Sequence, residues 1–508
     1  MHYDNDARQL RAKRVRNTEI APPLRSLKVA RKLLTNERRE PTIFSMQATA
    51  TEPASKLIDQ LGWRNKPGIL GQYPSSVQSA HALFGYYLKD RTSPTPFPGR
   101  DGLVDNTTFD WGIAPPLEKV ISGTAELDLL LQHPELFRQA IPIVEPWPSV
   151  GINNRNEAVR ASKNVAYILQ QIADADTVLY PVWESGIIDP ARLASVLSAS
   201  MAIVFEGGDP SVHDPRSFDG TKASLDDLLT LVEHLLLRRS AGSAPCIFVC
   251  LAHQLVAASH IRLIKRAVRE VFNIDRLPLD PERHALNSLQ RACHRIFEIG
   301  ESLPVIKAGE VIAQSWHDSH FAVAPNEAVE VGTRSLLPYG RHANGNHIPG
   351  ELHDTHELTA DELEGVVDSM IKFEREVMIE MFHGDEVNEE AALFANWAYK
   401  RLHDAIVPIR HELAVSPLAW LLCLPYAVEI LSQTQVNENT LTEVGTTCIY
   451  YKDWETHSIR RSFTCQCHPE LMADIRDIGK RPGPRYAELK ENDGVRLLIR
   501  LLYHGMQE

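Results

Sequence analysis

Short apolar runs alternate with amphipathic segments between about residues 140 and 271. The runs are rich in Val, Ile, Phe and Tyr and end at polar or turn-forming residues, which is typical of buried strands. The segments between them repeat apolar residues at helical spacing, as in the leucines that follow the capping pair Ser224 and Asp227. The predicted strands are 141–144, 177–182, 202–205 and 246–249, and the predicted helices begin near residues 154, 190, 224 and 251.

Strands that alternate with helices predict an α/β fold with three layers and a mainly parallel sheet. Working sites of such sheets lie at the carboxyl ends of the strands. The turn at Gly207 and Gly208 and the residue Cys250 both follow predicted strands directly. We therefore expect these residues to meet at one edge of the sheet.

The pattern becomes helical between residues 336 and 435. Thr359 and Glu362 form a capping pair for a helix to about residue 381, and a second amphipathic helix is predicted over 389–406. The apolar stretch 417–431 is interrupted by Pro425 and predicts a buried helix pair. We interpret the chain as an N-terminal extension of unknown role, the first part of an α/β domain, a helical insertion and the C-terminal part of that domain, at 1–136, 137–335, 336–435 and 436–508.

Composition and charge narrow the class of protein. The chain has 508 residues, is 44% hydrophobic and carries a formal net charge of −13, which argues against a nucleic-acid partner. An arm within 8–39 is locally basic. The first residues show no signal peptide, no run is long enough to span a membrane, and seven irregularly spaced cysteines favour a reducing compartment. We expect a cytoplasmic protein without a membrane partner; the oligomeric state stays open.

Cys250 stands where a predicted strand turns into a predicted helix. Such a turn exposes the sulfur, and the helix N-terminus favours the thiolate. A thiolate that cleaves amides also needs a base and a group that orients the base. His468 and Glu470 fit these roles, because alternation along an extended segment places both side chains on one side.

Three motifs resemble those of class I (triad) glutamine amidotransferases. Cys-Leu-Ala-His-Gln at 250–254 and Gln-Cys-His-Pro-Glu at 466–470 are similar to the family's Cys-Leu-Gly-His-Gln and Gln-Phe-His-Pro-Glu. Gly-Gly-Asp-Pro-Ser-Val at 207–212 is similar to its Gly-Gly-Pro-x-Ser-Val segment, with one extra residue. The resemblance covers roughly 137–480 apart from the insertion, and it implies a flavodoxin-like sheet.

The resemblance implies a catalytic triad of Cys250 as the nucleophile, His468 as the base and acid, and Glu470 as the orienting carboxylate. The substrate would be glutamine or another γ-glutamyl compound. The released ammonia would pass to a separate synthase subunit, because the chain has no phosphate-binding loop of the Gly-x-x-x-x-Gly-Lys type. No cofactor and no metal are implied.

The resemblance also implies residues that surround the triad. The backbone N–H groups of Leu251 and of Gly207 or Gly208 would hold the oxyanion, and Gln254 would bind the substrate. Cys246, Cys465 and Cys467 lack such support and are predicted to be packing residues.

Phe248 and Ala252 depart from the family, which has glycine at both positions. Phenylalanine behind the turn either fills a wider gap or holds the site in a low-activity arrangement until a partner binds. Two other functions therefore stay open beside glutaminase activity. One is a γ-glutamyl amide or peptide hydrolase on the same fold, and the other is a catalytically silent scaffold.

Histidines between residues 317 and 356 offer an alternative to this site. Two His-Asp-x-His stretches, 317–320 and 353–356, together with His342 and His347, could supply ligands to zinc or a related metal. The spacing matches no known zinc pattern. His317 or His320 could instead line the substrate pocket.

Overall fold

The structure is a computed structural model, and it describes a large part of the chain. The described residues are 86–87, 140–147, 150–152, 158–160, 162, 165, 169, 176–237, 243–273, 283–339, 352, 377–435, 442–455, 458–470 and 493–506.

A mixed sheet of ten strands forms the centre of the described part, in the order β1-β5-β2-β6-β7-β14-β13-β12-β10-β11. Its strands are β1 (Tyr86–Tyr87), β2 (Ala140–Glu145), β5 (Asp176–Pro181), β6 (Ile203–Phe205), β7 (Cys246–Val249), β10 (Val323–Pro338), β11 (Val377–Val387), β12 (Ala427–Gln435), β13 (Thr442–Lys452) and β14 (Ile459–Cys465). Two antiparallel pairs lie apart from it, β3 (Val150–Ile152) with β4 (Ala158–Arg160) and β8 (Val305–Lys307) with β9 (Glu310–Ala313).

Parallel pairing is confined to the middle of this sheet. Strands β5, β2, β6, β7 and β14 pair in parallel, whereas β13, β12, β10 and β11 continue the sheet in antiparallel pairs. The mixed α/β class predicted from the alternating pattern is thereby confirmed. The antiparallel half was not predicted.

Eight α-helices lie in the described part of the chain. They are α1 (Val182–Ser185), α2 (Pro190–Leu197), α3 (Leu225–Leu236), α4 (Leu251–Phe272), α5 (Arg283–Ser302), α6 (Glu389–Ile406), α7 (Arg410–Ala414) and α8 (Asp493–Met506). Ser224 and Asp227 form the predicted capping box at the start of α3. Helix α6 has the bounds predicted for 389–406. Among the described helices, none is long and apolar enough to cross a membrane.

The helical interpretation of 336–435 is wrong for two of its segments. Strand β11 pairs with β10, and strand β12 pairs with both β10 and β13. The buried helix pair predicted over 417–431 is instead a short 3-10 helix, Ala419–Cys423, that leads into β12. Periodicity does not separate short apolar runs into strands and helices, so length and nonlocal pairing decide. The helix expected from Thr359 to about residue 381 lies outside the described residues up to 376, and its last part, from Val377, is strand β11 instead.

One smaller prediction also changes. Ala158, which falls within the helix predicted from residue 154, lies in β4, whereas Val165 and Leu169 farther along that segment are helical and buried. Within the predicted extension 1–136 the structure describes Tyr86–Tyr87, which pairs antiparallel with β5. The basic arm lies outside the described residues.

Strand β7, which precedes the Cys250 turn, is part of the hydrophobic core. All four residues of β7 are buried. Phe248 is fully buried and packs against Phe205 of the adjacent β6, with ring centroids 6.0 Å apart. Burial of one such side chain stabilises the fold by about 1.5–3 kcal/mol. The turn that follows β7 is therefore held by a rigid core.

Candidate active site

Cys250 forms a strained turn between β7 and α4. Its φ angle is +50°, and Cys250 and Ala308 are the two non-glycine residues with positive φ in the described part of the chain. Its N–H donates to the carbonyl oxygen of Cys465 at 2.7 Å, which ties the turn to β14. This backbone conformation costs an L-residue on the order of 1–3 kcal/mol and is characteristic of functional sites.

The predicted site residues follow three adjacent parallel strands and lie at the carboxyl edge of the sheet. Strand β7 pairs with β6 on one side and β14 on the other, so the carboxyl ends of all three lie together. Gly207 follows β6, Cys250 follows β7, and His468 follows β14. The edge predicted from the sequence thus gathers all three segments.

His468 links Cys250 to Glu470. Its Nδ1 lies 2.7 Å from Glu470 Oε1, and a second hydrogen bond joins the imidazole to the Cys250 side chain. The three side chains are almost inaccessible, with Cys250 1%, His468 3% and Glu470 0% exposed. A hydrogen bond at Nδ1 fixes the ring orientation and leaves the other ring nitrogen for the cysteine.

Charges around His468 decide its protonation. Burial lowers the pKa of the imidazole, but the negative charges of Cys250 and Glu470 and the hydrogen bonds to both outweigh burial. The pKa of His468 is raised well above its usual value as a result. The imidazole of His468 therefore holds its proton more tightly than a free histidine side chain does.

Gly207 and Gly208 pack against the nucleophile turn so closely that no side chain fits. A Cβ atom at Gly207 would lie 2.7 Å from Cys250 Cβ and 3.2 Å from His468 Cε1. A Cβ atom at Gly208 would lie 3.1 Å from Leu251 Cδ2. All three residues predicted to form an oxyanion hole are therefore in one place.

Glu206 is a site residue that the sequence analysis missed. It is fully buried, and its Oε2 accepts a hydrogen bond from the Gly207 N–H at 3.2 Å. Burial and then the charge of Glu470 raise the pKa of Glu206 well above its usual value, against the opposing effect of His468. The available signal was an acidic residue directly after an apolar strand, before two glycines.

Gln254 lies in the first turn of α4, as predicted, and its side chain is bonded to the protein. Its Nε2 donates to the backbone oxygen of Asp385 at 2.8 Å. The Asp385 carboxylate in turn accepts from Ser211 Oγ at 2.6 Å. Asp385 belongs to β11, which lies within the predicted helical insertion, so no local pattern predicted its place beside the site.

The cysteines beside the site are buried. Cys246, Cys465 and Cys467 are at most 1% exposed. A hydrogen bond with Cys467 and burial raise the pKa of the Cys465 thiol well above its usual value. A neutral thiol is a poor nucleophile, which fits the packing role predicted for Cys465. Ala252 is fully buried in α4, which accommodates its methyl group.

The described histidines of the alternative site do not converge. His317 pairs with Glu301, and His320 contacts the ring of His213. Within the described residues, no group of three or more histidine, cysteine or acidic side chains is arranged to hold a metal. His342, His347 and the stretch 353–356 lie outside the described part.

No known protein-family model matches this chain, and no curated protein matches it.

Proposed function

We propose that this chain is a cysteine amidohydrolase of the class I glutamine amidotransferase type, which hydrolyses the side-chain amide of glutamine. The observation that carries the proposal is the double link of His468, bonded to both Cys250 and Glu470 beside a strained turn. A nucleophile, a base and an orienting carboxylate in this order are the requirements of covalent amide cleavage. The parallel strands at the centre of the sheet are compatible with the flavodoxin-like fold that the sequence motifs imply.

The first half of the reaction uses the protonated His468. The Cys250 thiolate attacks the amide carbon of glutamine, and the carbonyl oxygen becomes an oxyanion. The N–H groups of Leu251 and of Gly207 or Gly208 stabilise this charge. The intermediate collapses as the C–N bond breaks and His468 donates its proton to the nitrogen. Ammonia leaves, and a γ-glutamyl thioester remains on Cys250.

The second half uses His468 as a base. The neutral imidazole takes a proton from water as the water oxygen attacks the thioester carbon. The C–S bond breaks, glutamate leaves, and the thiolate and imidazolium are restored. Glu470 holds the ring in place throughout and stabilises its positive charge.

The hydrogen bond between Glu206 and Gly207 supports a low basal rate. An N–H group that donates to a carboxyl oxygen is not available to an oxyanion, and loss of one such donor lowers kcat by about 10²–10³-fold. A separate synthase that receives the ammonia would raise the rate by shifting this turn. Phe248, by contrast, packs against Phe205, which favours its role as a filler of the gap between strand and helix.

Ammonia release from glutamine tests the proposal. We expect slow, saturable formation of glutamate and ammonia by the isolated chain. Cys250→Ala removes this activity, and Cys293→Ala, which replaces a buried cysteine of α5, preserves it. Release of an amine from γ-glutamyl amides with no ammonia from glutamine would instead identify a γ-glutamyl hydrolase. Inactivity on both substrates, with and without candidate synthases, would identify a silent scaffold.

A further inference from the structure

Asp385 is bonded to two segments of the candidate active site, the one that follows the Gly207–Gly208 turn and the first turn of α4. Its Oδ2 accepts from Ser211, which follows the Gly207–Gly208 turn, and its backbone oxygen accepts from Gln254 in the first turn of α4. The N–H of Gln254 donates to the carbonyl oxygen of Cys250 at 3.2 Å. Asp385 is thus one glutamine side chain away from the nucleophile turn.

The residues around Asp385 enclose the site. Asp385 is 6% exposed, and Cys250 and His468 are buried more deeply. His383, two residues earlier on β11, is close enough to the triad for the charge of His468 to lower its pKa. This end of β11 therefore lies beside the candidate triad.

The Asp385 carboxylate has no compensating cation in the described part of the chain. Burial lowers the pKa of the neighbouring His213, and this effect exceeds the opposing effect of Asp385, so the imidazole is neutral. The nearby Lys307 forms its ion pair with Glu386. Among the residues that the structure describes, the Ser211 hydroxyl is the group bonded to the carboxylate. A buried carboxylate in such surroundings is costly, and a cationic group of a ligand would offset that cost.

We propose that Asp385 binds the α-ammonium group of the substrate and restricts the enzyme to γ-glutamyl compounds with a free amino group. The inference rests on the proposed function. A γ-glutamyl substrate carries its ammonium group four bonds from the carbon that Cys250 attacks. The Gln254 side chain, which has the same length as such a substrate, reaches from the first turn of α4 to the backbone oxygen of Asp385.

Binding measurements on a variant that cannot react test this assignment. In the Cys250→Ala background, calorimetry compares glutamine with glutaramic acid, the monoamide of glutaric acid, which lacks only the α-amino group. We expect glutamine to bind at least about 30-fold more tightly, as for a buried charge pair. Adding Asp385→Asn should weaken glutamine binding by about 30-fold or more and change binding of the analogue by less than about threefold.

Glu386→Gln is the matched control. It replaces the carboxyl group of the adjacent residue of β11, which is already paired with Lys307. We expect glutamine binding to stay within about threefold of the parent. Retained binding of the analogue shows that the Asp385→Asn protein is folded.

Three results would overturn the assignment. They are equal affinity of the parent for both ligands, equal weakening of both ligands by Asp385→Asn, and no binding of glutamine by the parent. Failure of the proposed function gives a different result, in which the unmodified chain binds glutamine through Asp385 but releases no ammonia.

Discussion

His468 Nδ1 and Glu470 Oε1 lie 2.7 Å apart, although only Pro469 separates the two residues in the chain. Both side chains are buried, so this contact is shielded from solvent and holds the imidazole in one orientation. Because Glu470 also stabilises the imidazolium, the pair contributes both geometry and charge to the candidate site.

Glu470→Gln separates these two contributions. The amide can still bond to the ring, but it removes the negative charge and permits the wrong tautomer. We expect kcat for ammonia release to fall by about 10²-fold or more and the pKa of His468 to fall. Steady-state kinetics and a histidine NMR titration measure the two effects. An unchanged pKa of His468 would contradict the role given to Glu470.

Gly207→Ala tests the packing of the proposed oxyanion turn. The new methyl group would lie 2.7 Å from Cys250 Cβ, a separation that forces the turn or the nucleophile to move. A displacement of this size lowers kcat/KM by about 10²-fold. Gly220→Ala is the control, because Gly220 has a φ of +94° and no atom within 4 Å of the added Cβ. That variant should lose stability and keep its kcat/KM; a loss of kcat/KM in both would refute the packing argument.

Phe248→Ala distinguishes between two roles of Phe248, one in core packing and one in restraining activity. If Phe248 fills a gap beside Phe205, its loss lowers the free energy of unfolding by about 3–5 kcal/mol and does not raise turnover. Urea denaturation and ammonia release measure these quantities. Faster turnover at unchanged stability would show that Phe248 restrains the nucleophile turn.

His260 makes the stability of the fold depend on pH. Burial, followed by the charge of His253, lowers the pKa of His260 to about 3, so the folded state keeps it neutral while the unfolded chain is protonated below about pH 6.5. The unfolded state thus binds more protons in this window. The free energy of unfolding is highest above about pH 6.5 and falls toward pH 3, by about 1.4 kcal/mol per pH unit from this residue.

His260→Gln should remove that contribution to the slope, as measured by urea denaturation between about pH 4.5 and 6. His294→Gln is the control, since His294 is 66% exposed. Identical slopes for His260→Gln and the unmodified chain would contradict the neutral, buried state of His260.

Sequence patterns predicted the parts of the fold that are determined by residues close together in the chain. The cap at Ser224, the strand ending at Val249 and the bounds of α6 are all set within a few residues of chain. Strand β11 is different, because its pairing with β10 joins residues about 40 to 65 positions apart. The register runs from Leu336 opposite Val377 to Val323 opposite Val387. No local periodicity encodes such pairing.

The same distinction applies to the candidate site. Cys250 and His468 were identified because the motifs around them are contiguous in sequence. Asp385 is bonded to Ser211, which is 174 residues away in the chain. This contact depends on the position of β11, which belongs to the antiparallel half of the sheet. Glu206 was visible in the sequence, but its importance depends on the nearness of Glu470, which only the fold provides.

Covalent modification of Cys250 by a glutamine-mimicking electrophile is the most direct test of the central claim. Peptide mass spectrometry of the treated chain should show one adduct on Cys250, and glutamine should slow its formation by competition. The buried Cys246 and Cys293 should stay unmodified. Labelling that persists at the same rate in Cys250→Ala, or an unreactive Cys250 in the unmodified chain, would contradict the assignment of Cys250 as the nucleophile.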